Sequence, residues 1–204
     1  MGDVRAPGGV LGNLEAALSR GIDRFGRNVG IFGRDTAEQI LESEYAPIEL
    51  KGIATFAKEL SEAQIEEETK QIEAMQDFKT SREDIGFDSL DEISSGIAYY
   101  AETFLESLPI VGTSVAASVG AVAAAPVLGV TGAGAVALGT AAGITSQVPY
   151  FFGKNVLRQE ETGKDDYFDA LATAVGQSAL QQVVNYVGLN MIGKIGKPAT
   201  DNLM

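Results

Sequence analysis

Residues 107–153 read SLPIVGTSVAASVGAVAAAPVLGVTGAGAVALGTAAGITSQVPYFFG, 47 positions without one Asp, Glu, Lys or Arg, of which eleven are Ala and eight Gly. A helix that spans a bilayer needs about 20 apolar residues. The block holds two such arms if Pro126 and the stretch Gly129-Val130-Thr131-Gly132 make a turn. The first arm, 108–125, and the second, 133–152, are then the two legs of a helical hairpin. Small residues recur at helical spacing in each: Gly112, Ala116, Gly120 and Ala124 in the first, Ala135, Gly139 and Gly143 in the second. Small residues four apart form a ridge that lets backbones approach where no hydrophobic effect drives helices together, which suits closure of the hairpin or an interface that oligomerises. On that reading a Gly120→Leu change is expected to open the hairpin. Tyr150, Phe151 and Phe152 beside Lys154 and Arg158 have the composition of an interfacial belt with positive anchors. A second reading of the block is an Ala/Gly-rich hairpin buried in a water-soluble assembly, because Ala and Gly add little insertion energy.

Charge divides the rest of the chain sharply. The 204 residues carry 28 acidic and 15 basic side chains, a net charge of -13. Residues 1–34 hold three acids and five bases, 35–106 nineteen acids and five bases, and 154–204 six acids and five bases. Elements of such different charge are expected to face different surroundings. The acidic balance opposes direct nucleic-acid binding, since phosphate contacts need clustered Lys and Arg. With no Cys and no His, the chain has no thiolate nucleophile, no disulfide, no zinc site of the usual ligands and no Ser-His-Asp triad. No cofactor is expected. A glycosidase would need two carboxylates across a cleft, and Glu102 and Glu106 are the nearest candidates to such a pair.

Outside the block the periodicity is helical, and the fold class expected is all-α, extended and oligomeric. Leu11, Leu14, Leu18, Ile22, Phe25, Val29 and Phe32 form one stripe flanked by Arg20, Arg24, Arg27 and Arg34. It reads either as a helix packed on a partner or as a basic amphipathic helix on an anionic membrane. Gly12, Gly21, Gly26, Gly30 and Gly33 weaken this helix by about 1 kcal/mol each, so it needs a partner to persist. Helices are expected at 36–45 and 48–78, separated by Ala46-Pro47, with Ser61 and Gln64 at capping-box spacing as a further break. Ile65, Ile72, Met75 and Phe78 make a thin stripe there. Glu66-Glu67-Glu68 does not converge on one helix face and reads as solvated rather than as a cation site. Ser89 and Glu92 form a capping box that starts a helix running through Ile93, Ile97, Tyr100, Phe104 and Leu108 toward Pro109. A last helix, within 154–192, starts near Asp165 or Asp166 with Phe168, Leu171, Val175, Ala179, Gln182 and Tyr186 inward, and 193–204 reads as a loop-like tail.

The order of these elements carries a resemblance. LGNLEAALSRGIDRFGRNVGIFGRD (11–35), DSLDEISSGIAYYAETFLESLPIVGTSVAASVGA (88–121), the Gly/Ala block and PYFFGKNVLRQEETGKDDYFDALATAVGQSALQQVVNYVGL (149–189) together resemble a region of the large internal virion proteins of short-tailed bacteriophages. The pattern rests on Leu108-Pro109, the Gly/Ala block, Phe152-Gly153-x-Asn155, the Glu160-x-x-Gly163 turn and the Ala-rich helix that follows. The resemblance implies a non-enzymatic protein stored in the virion interior near the portal and released before the DNA. Such a protein reassembles as an oligomeric conduit through the host envelope, its uncharged block meeting inner-membrane lipid. Self-association, other core or portal proteins and membrane lipid are the partners implied. This chain departs from the family in length, since those polypeptides are usually much longer, and nothing in it matches the lytic transglycosylase domain they often carry. A soluble scaffold module of the virion core and a pore-forming, bacteriocin-like protein are the alternatives.

Overall fold

The uncharged block folds as the joint between two long helices. A computed structural model describes residues 10–76 and 90–201 of the chain, and they form the helices α1 (Val10–Glu42), α2 (Ile48–Ala74), α3 (Leu90–Ala124), α4 (Ala133–Glu161) and α5 (Tyr167–Asp201). The architecture is all-α, with no strand among the described residues.

Helices run through several positions where the residues suggested an end. α1 is unbroken from Val10 to Glu42, across the change of charge at Arg34-Asp35. A change of charge is no backbone signal, and Asp35 is satisfied there by the Arg34 Nε at 2.7 Å. α2 continues past Ser61, whose side chain lies against Gly33 of α1 instead of capping a new helix. α3 runs through Pro109 and α4 through Pro149. Each proline removes only the one ladder hydrogen bond that its missing N–H would make, and the helix continues on the rest of its ladder. α5 begins at Tyr167 because Asp166 caps it, its carboxylate accepting the Asp169 N–H at 3.0 Å. It continues to Asp201, so the stretch expected as a loop-like tail is helical through Gly193 and Gly196. Glycine inside a helix costs about 1 kcal/mol without forbidding it.

Close approach between helices is made by glycines. A Cβ on Gly30 would meet the Ile65 side chain at 3.0 Å, one on Gly33 the Ser61 hydroxyl at 2.6 Å, and one on Gly26 the Glu68 carboxylate, so side chains of α2 rest directly on the backbone of α1. Gly21 faces the Glu106 backbone of α3 at 2.6 Å on the same terms, and Gly153 of α4 sits on the backbone of Asn28. The apolar core gathers where α1, α4 and α5 meet. Ile31, Phe152, Val156, Ala170 and Ala174 are buried there, and Phe32 and Tyr167 pack their rings on Phe152 at 5.3 and 5.0 Å.

Burial follows small and polar residues more than large apolar ones. On α5 the inward positions are Ala170, Ala174 and Ser178, each fully enclosed, while Phe168 and Val175 of the expected stripe are exposed. The expected stripe lies about one residue, or 100°, away from the buried one. On α1 the buried positions include Asn13, Ala17, Arg20, Asp23 and Asn28, while Leu18 and Ile22 face outward. Leu11, Phe78, Ile93 and Tyr186, named above in their stripes, lie outside the described side chains.

Candidate functional site

The hairpin expected from the sequence is formed by α3 and α4. Pro126 lies in a single 3-10 turn, Ala125–Leu128, that follows α3 directly. Gly129 takes the left-handed φ of 73°, and its N–H donates to Pro126 O at 3.1 Å, while Val130 N–H donates to Ala125 O at 2.9 Å. Gly132, at φ 56°, precedes α4. The turn is solvent-exposed at Val127, Leu128, Gly129 and Gly132.

The faces that close the hairpin differ between its arms. On α4, Gly139 and Gly143 are buried: a Cβ on Gly139 would meet Ser118 O at 2.9 Å as well as Val122, and one on Gly143 would meet Ser118 and Gln182. Ala135 is half-buried. On α3, however, Gly112 and Gly120 have open space where a Cβ would stand, and Ala116 and Ala124 are exposed. The ridge assigned to α3 from its spacing therefore points away from α4. The facing residues are Ser114, Ser118 and Val122, two positions on, and two positions turn a helix by 200°. Both stripes repeat every four residues, so periodicity does not choose between them. Gly120→Leu consequently places its side chain in solvent and leaves closure intact.

Polar side chains join the two arms to α5. Ser114, fully buried, hydrogen-bonds Gln182 Oε1 at 2.7 Å, and Gln182 Nε2 donates to Ser118 Oγ at 3.2 Å. Gln147, fully buried, donates to Gln182 Oε1 at 3.5 Å and leaves its own Oε1 without a partner among the described residues. One turn from the core, Asn155 donates to Ala170 O at 3.3 Å and Gln177 Oε1 at 3.1 Å, and Gln159 donates to Asp169 at 3.1 Å. Sequence reasoning placed Gln182 on an inward stripe and Asn155 in the family pattern, and it passed over Ser114, Ser118, Gln147 and Gln159. The signal of Ser114 and Ser118 was available in the four residues that separate them, but it was masked by the surrounding Ala and Gly.

The expected aromatic belt is divided by the fold. Phe152 is wholly buried as the centre of the core, Phe151 is half-buried, and Tyr150 is half-buried with its ring stacked on Phe25 at 6.0 Å. Lys154 and Arg158 are exposed. Phe152 goes inward because the close approach of Gly153 to Asn28 brings that turn of α4 onto α1. Large apolar residues are exposed instead along α3 at Ile97, Tyr100, Phe104 and Val119, with Val127 and Leu128 in the turn and Val136 on α4. Among the described residues one helical stretch, Ser95–Leu128, is long and apolar enough to cross a membrane, and 17% of its most apolar window is buried.

The base of the hairpin is fastened to α1 by charge. Arg20, fully buried, donates through Nε to Glu106 at 2.9 Å, lies 3.8 Å from the Glu102 carboxylate, and donates to Met75 O at 3.2 Å. Arg24 pairs with the other Glu106 oxygen. Glu102 and Glu106 are thus engaged by guanidinium groups rather than set across a cleft. Beside them on α1, burial raises the Asp23 carboxyl from its ordinary value, against a hydrogen bond to Glu68 that lowers it. Glu68 is raised by burial first and by Asp23 second. Of the acidic run on α2, Glu68 alone turns to α1, while Glu66 pairs with Lys70 along the exposed face. No cluster of three or more acidic side chains placed to hold a metal occurs among the described residues. A cleft of about 310 Å³ between the end of α1 and the α4–α5 turn is lined by Arg34, Asp35, Glu38, Glu160, Lys164 and Tyr167 among others. Its charges are partly matched in pairs, Arg34 with Asp35 at 2.7 Å and with Glu160 at 3.9 Å. No protein-family profile, no curated protein and no solved structure matches this chain.

Proposed function

We propose that the chain is a non-enzymatic, membrane-contacting structural protein whose α3–α4 hairpin enters a bilayer, in the manner of a phage internal virion protein that helps to form a conduit for genome ejection. The single observation that carries this reading is the inverted burial of the hairpin. Its helices meet through Gly139, Gly143, Ser114 and Ser118, with Gln147 and Gln182 bonding the arms to α5, while Val119, Val127, Leu128 and Val136 of the uncharged block point outward. Small residues and interhelical hydrogen bonds are what hold helices together where lipid surrounds them. Large apolar side chains on the outside are what lipid solvates and water does not.

Several features suit a protein that is soluble first and inserted later. The uncharged block is rich in Ala and Gly, which add little insertion energy, and its base is clamped to α1 by a buried ion network. Oligomerisation supplies the remaining cover in this reading, with the acidic face of α2 turned to water and the exposed apolar positions on α2 and α5 turned to neighbouring copies or to other core and portal proteins. The location that follows is the virion interior before infection and the host inner membrane after it. Direct recognition of nucleic acid is no part of the role, because the net charge of -13 repels phosphate backbones.

The test is flotation of the purified chain with vesicles of bacterial lipid composition. Co-flotation that survives high salt is expected, because apolar insertion is insensitive to screening. A soluble oligomer left at the bottom of the gradient would move the chain to the other class considered, a scaffold module that uses the hairpin for protein contacts alone.

A further inference from the structure

Arg27 stands apart from the other arginines of α1. Arg20 and Arg24 are paired with Glu106, and Arg34 with Asp35. Arg27 is half-buried, and its Nε is enclosed without a hydrogen-bond acceptor among the described residues. Its electrostatic neighbours are a like charge, Arg24, and the side chain of Tyr150. Burial and, second, the Arg24 charge lower its pKa from the ordinary arginine value. A chain with 28 acids and 15 bases has carboxylates to spare, yet places none of the described ones on this guanidinium.

The height of Arg27 along the bundle is the second observation. Asn28, the next residue, lies against Gly153, the last residue of the uncharged block, and Tyr150 is one turn before it. Arg24 reaches Glu106, the last charge before the block begins. Both ends of the uncharged block therefore stand at the level of Arg24 and Arg27. In a hairpin whose uncharged part enters the hydrocarbon, that level is the headgroup layer. Exposed Lys154 follows immediately on α4.

We infer that Arg27 is an anchor for a phosphate group at the base of the hairpin, and that the phosphate is the headgroup of an anionic lipid. The inference rests on the membrane reading above and adds the lipid class to it. A guanidinium offers a planar fork that matches phosphate oxygens, and Nε is one of the donors of that fork. Tyr150 adds a hydroxyl on the same side, and its ring, stacked on Phe25, stays at the interface between the core and the headgroups.

The experiment compares flotation of the full chain with vesicles of neutral phosphatidylcholine alone and with vesicles containing phosphatidylglycerol. The wild-type chain is expected to partition more strongly to the anionic vesicles. Arg27→Gln is expected to reduce that partitioning about five-fold, the weight of one basic residue at an anionic surface, while leaving partitioning to neutral vesicles unchanged. Lys58→Gln removes an equal charge from an α2 residue that pairs with Glu38 and is expected to change neither. Arg27→Lys, which keeps the charge but not the fork, is expected to fall between, and melting curves of both Arg27 variants establish that they are folded. Equal losses in Arg27→Gln and Lys58→Gln would reduce the effect to net charge and overturn the inference. So would unchanged anionic partitioning in Arg27→Gln, with the hairpin reading left standing. Flotation with neither vesicle would overturn both. Equal partitioning of the wild type to the two vesicles, together with a rise in its melting temperature in millimolar inorganic phosphate that Arg27→Gln abolishes, would overturn the lipid assignment and give the site to soluble phosphate. Loss of self-association in Arg27→Gln with lipid partitioning intact would assign the guanidinium to a carboxylate of a second copy.

Discussion

Gly153 has no room for a methyl group. A Cβ there would meet the Cα of Asn28 at 2.6 Å and its carbonyl carbon at 2.8 Å, backbone atoms that cannot swing away. Gly120 has nothing within 4 Å. The same substitution is therefore expected to act in opposite directions. Gly153→Ala should destabilise by about 1–3 kcal/mol through overpacking, whereas Gly120→Ala should stabilise by about 0.5–1 kcal/mol through helix propensity. Urea denaturation of the two variants checks this, and a destabilised Gly120→Ala would count against the orientation of α3. Asp23 and Glu68 belong to the same scale. Both carboxyls have folded-state pKa values raised above their ordinary ones, chiefly by burial. The sign follows: a raised folded pKa gives stability that is present below the unfolded value and lost as pH rises through the folded one. The contact of α1 with α2 is thus tightest in acid and weakens from the ordinary carboxylate range upward. Asp23→Asn is expected to raise the melting temperature at pH 7 and to leave it nearly unchanged at pH 4. An equal shift at both values would show that the gain does not come from removing a buried charge.

At the scale of elements, α1 is fastened to α3 by charge and close packing together. Arg20 is wholly buried and Glu106 nearly so, and Gly21 lets the two backbones meet beside them. Removing one member of a buried pair leaves the other uncompensated, at about 3–5 kcal/mol. Arg20→Ala is expected to lower the melting temperature by roughly 10 °C, taking about 2–4 °C per kcal/mol for a chain of this size. Calorimetry measures it, and a shift of a degree or less would mean that water already screens the pair. The network stands at the joint between the charged and uncharged parts of α3, so its release is the step that would free the hairpin to move as a unit. Within the hairpin, the bonds among Ser114, Ser118, Gln147 and Gln182 tie α5 to both arms. α5 would travel with the hairpin rather than stay with α1.

Among the described residues, large apolar side chains are exposed on several helices. Tyr45, Ile48, Ile53, Phe56 and Leu60 are exposed at the start of α2, and Leu180, Val183 and Val184 on α5, in addition to the hairpin. In the reading proposed above, such side chains are covered by neighbouring copies or by lipid. Vesicles are expected to shield the hairpin from elastase, which cuts beside small apolar residues that are plentiful at 107–153 and exposed at Val119, Val127 and Val136. Mass spectrometry of the digest should recover a fragment spanning 107–153 with vesicles and lose it without them. Equal cleavage in both would place the block outside the bilayer.

Composition and periodicity alone determined that the chain is helical, that the uncharged block turns near Pro126, and that catalysis by Cys or His is absent, because these depend on residue identity and on neighbours close in sequence. Which face of each helix turns inward was decided by the tertiary structure. In α3 the stripes Gly112-Ala116-Gly120-Ala124 and Ser114-Ser118-Val122 have the same period and differ by 200°, and only the position of α4 and α5 selects the second. Pro109 and the charge step at Arg34-Asp35 looked like boundaries, yet α3 and α1 continue through them, because one missing N–H removes one ladder bond and a change of charge removes none. Phe152 is core and not belt because Gly153 rests on Asn28, a contact across 125 residues of sequence that no local pattern encodes. Small residues permit close packing wherever they occur, but whether a partner occupies the space they leave is a property of the assembled helices.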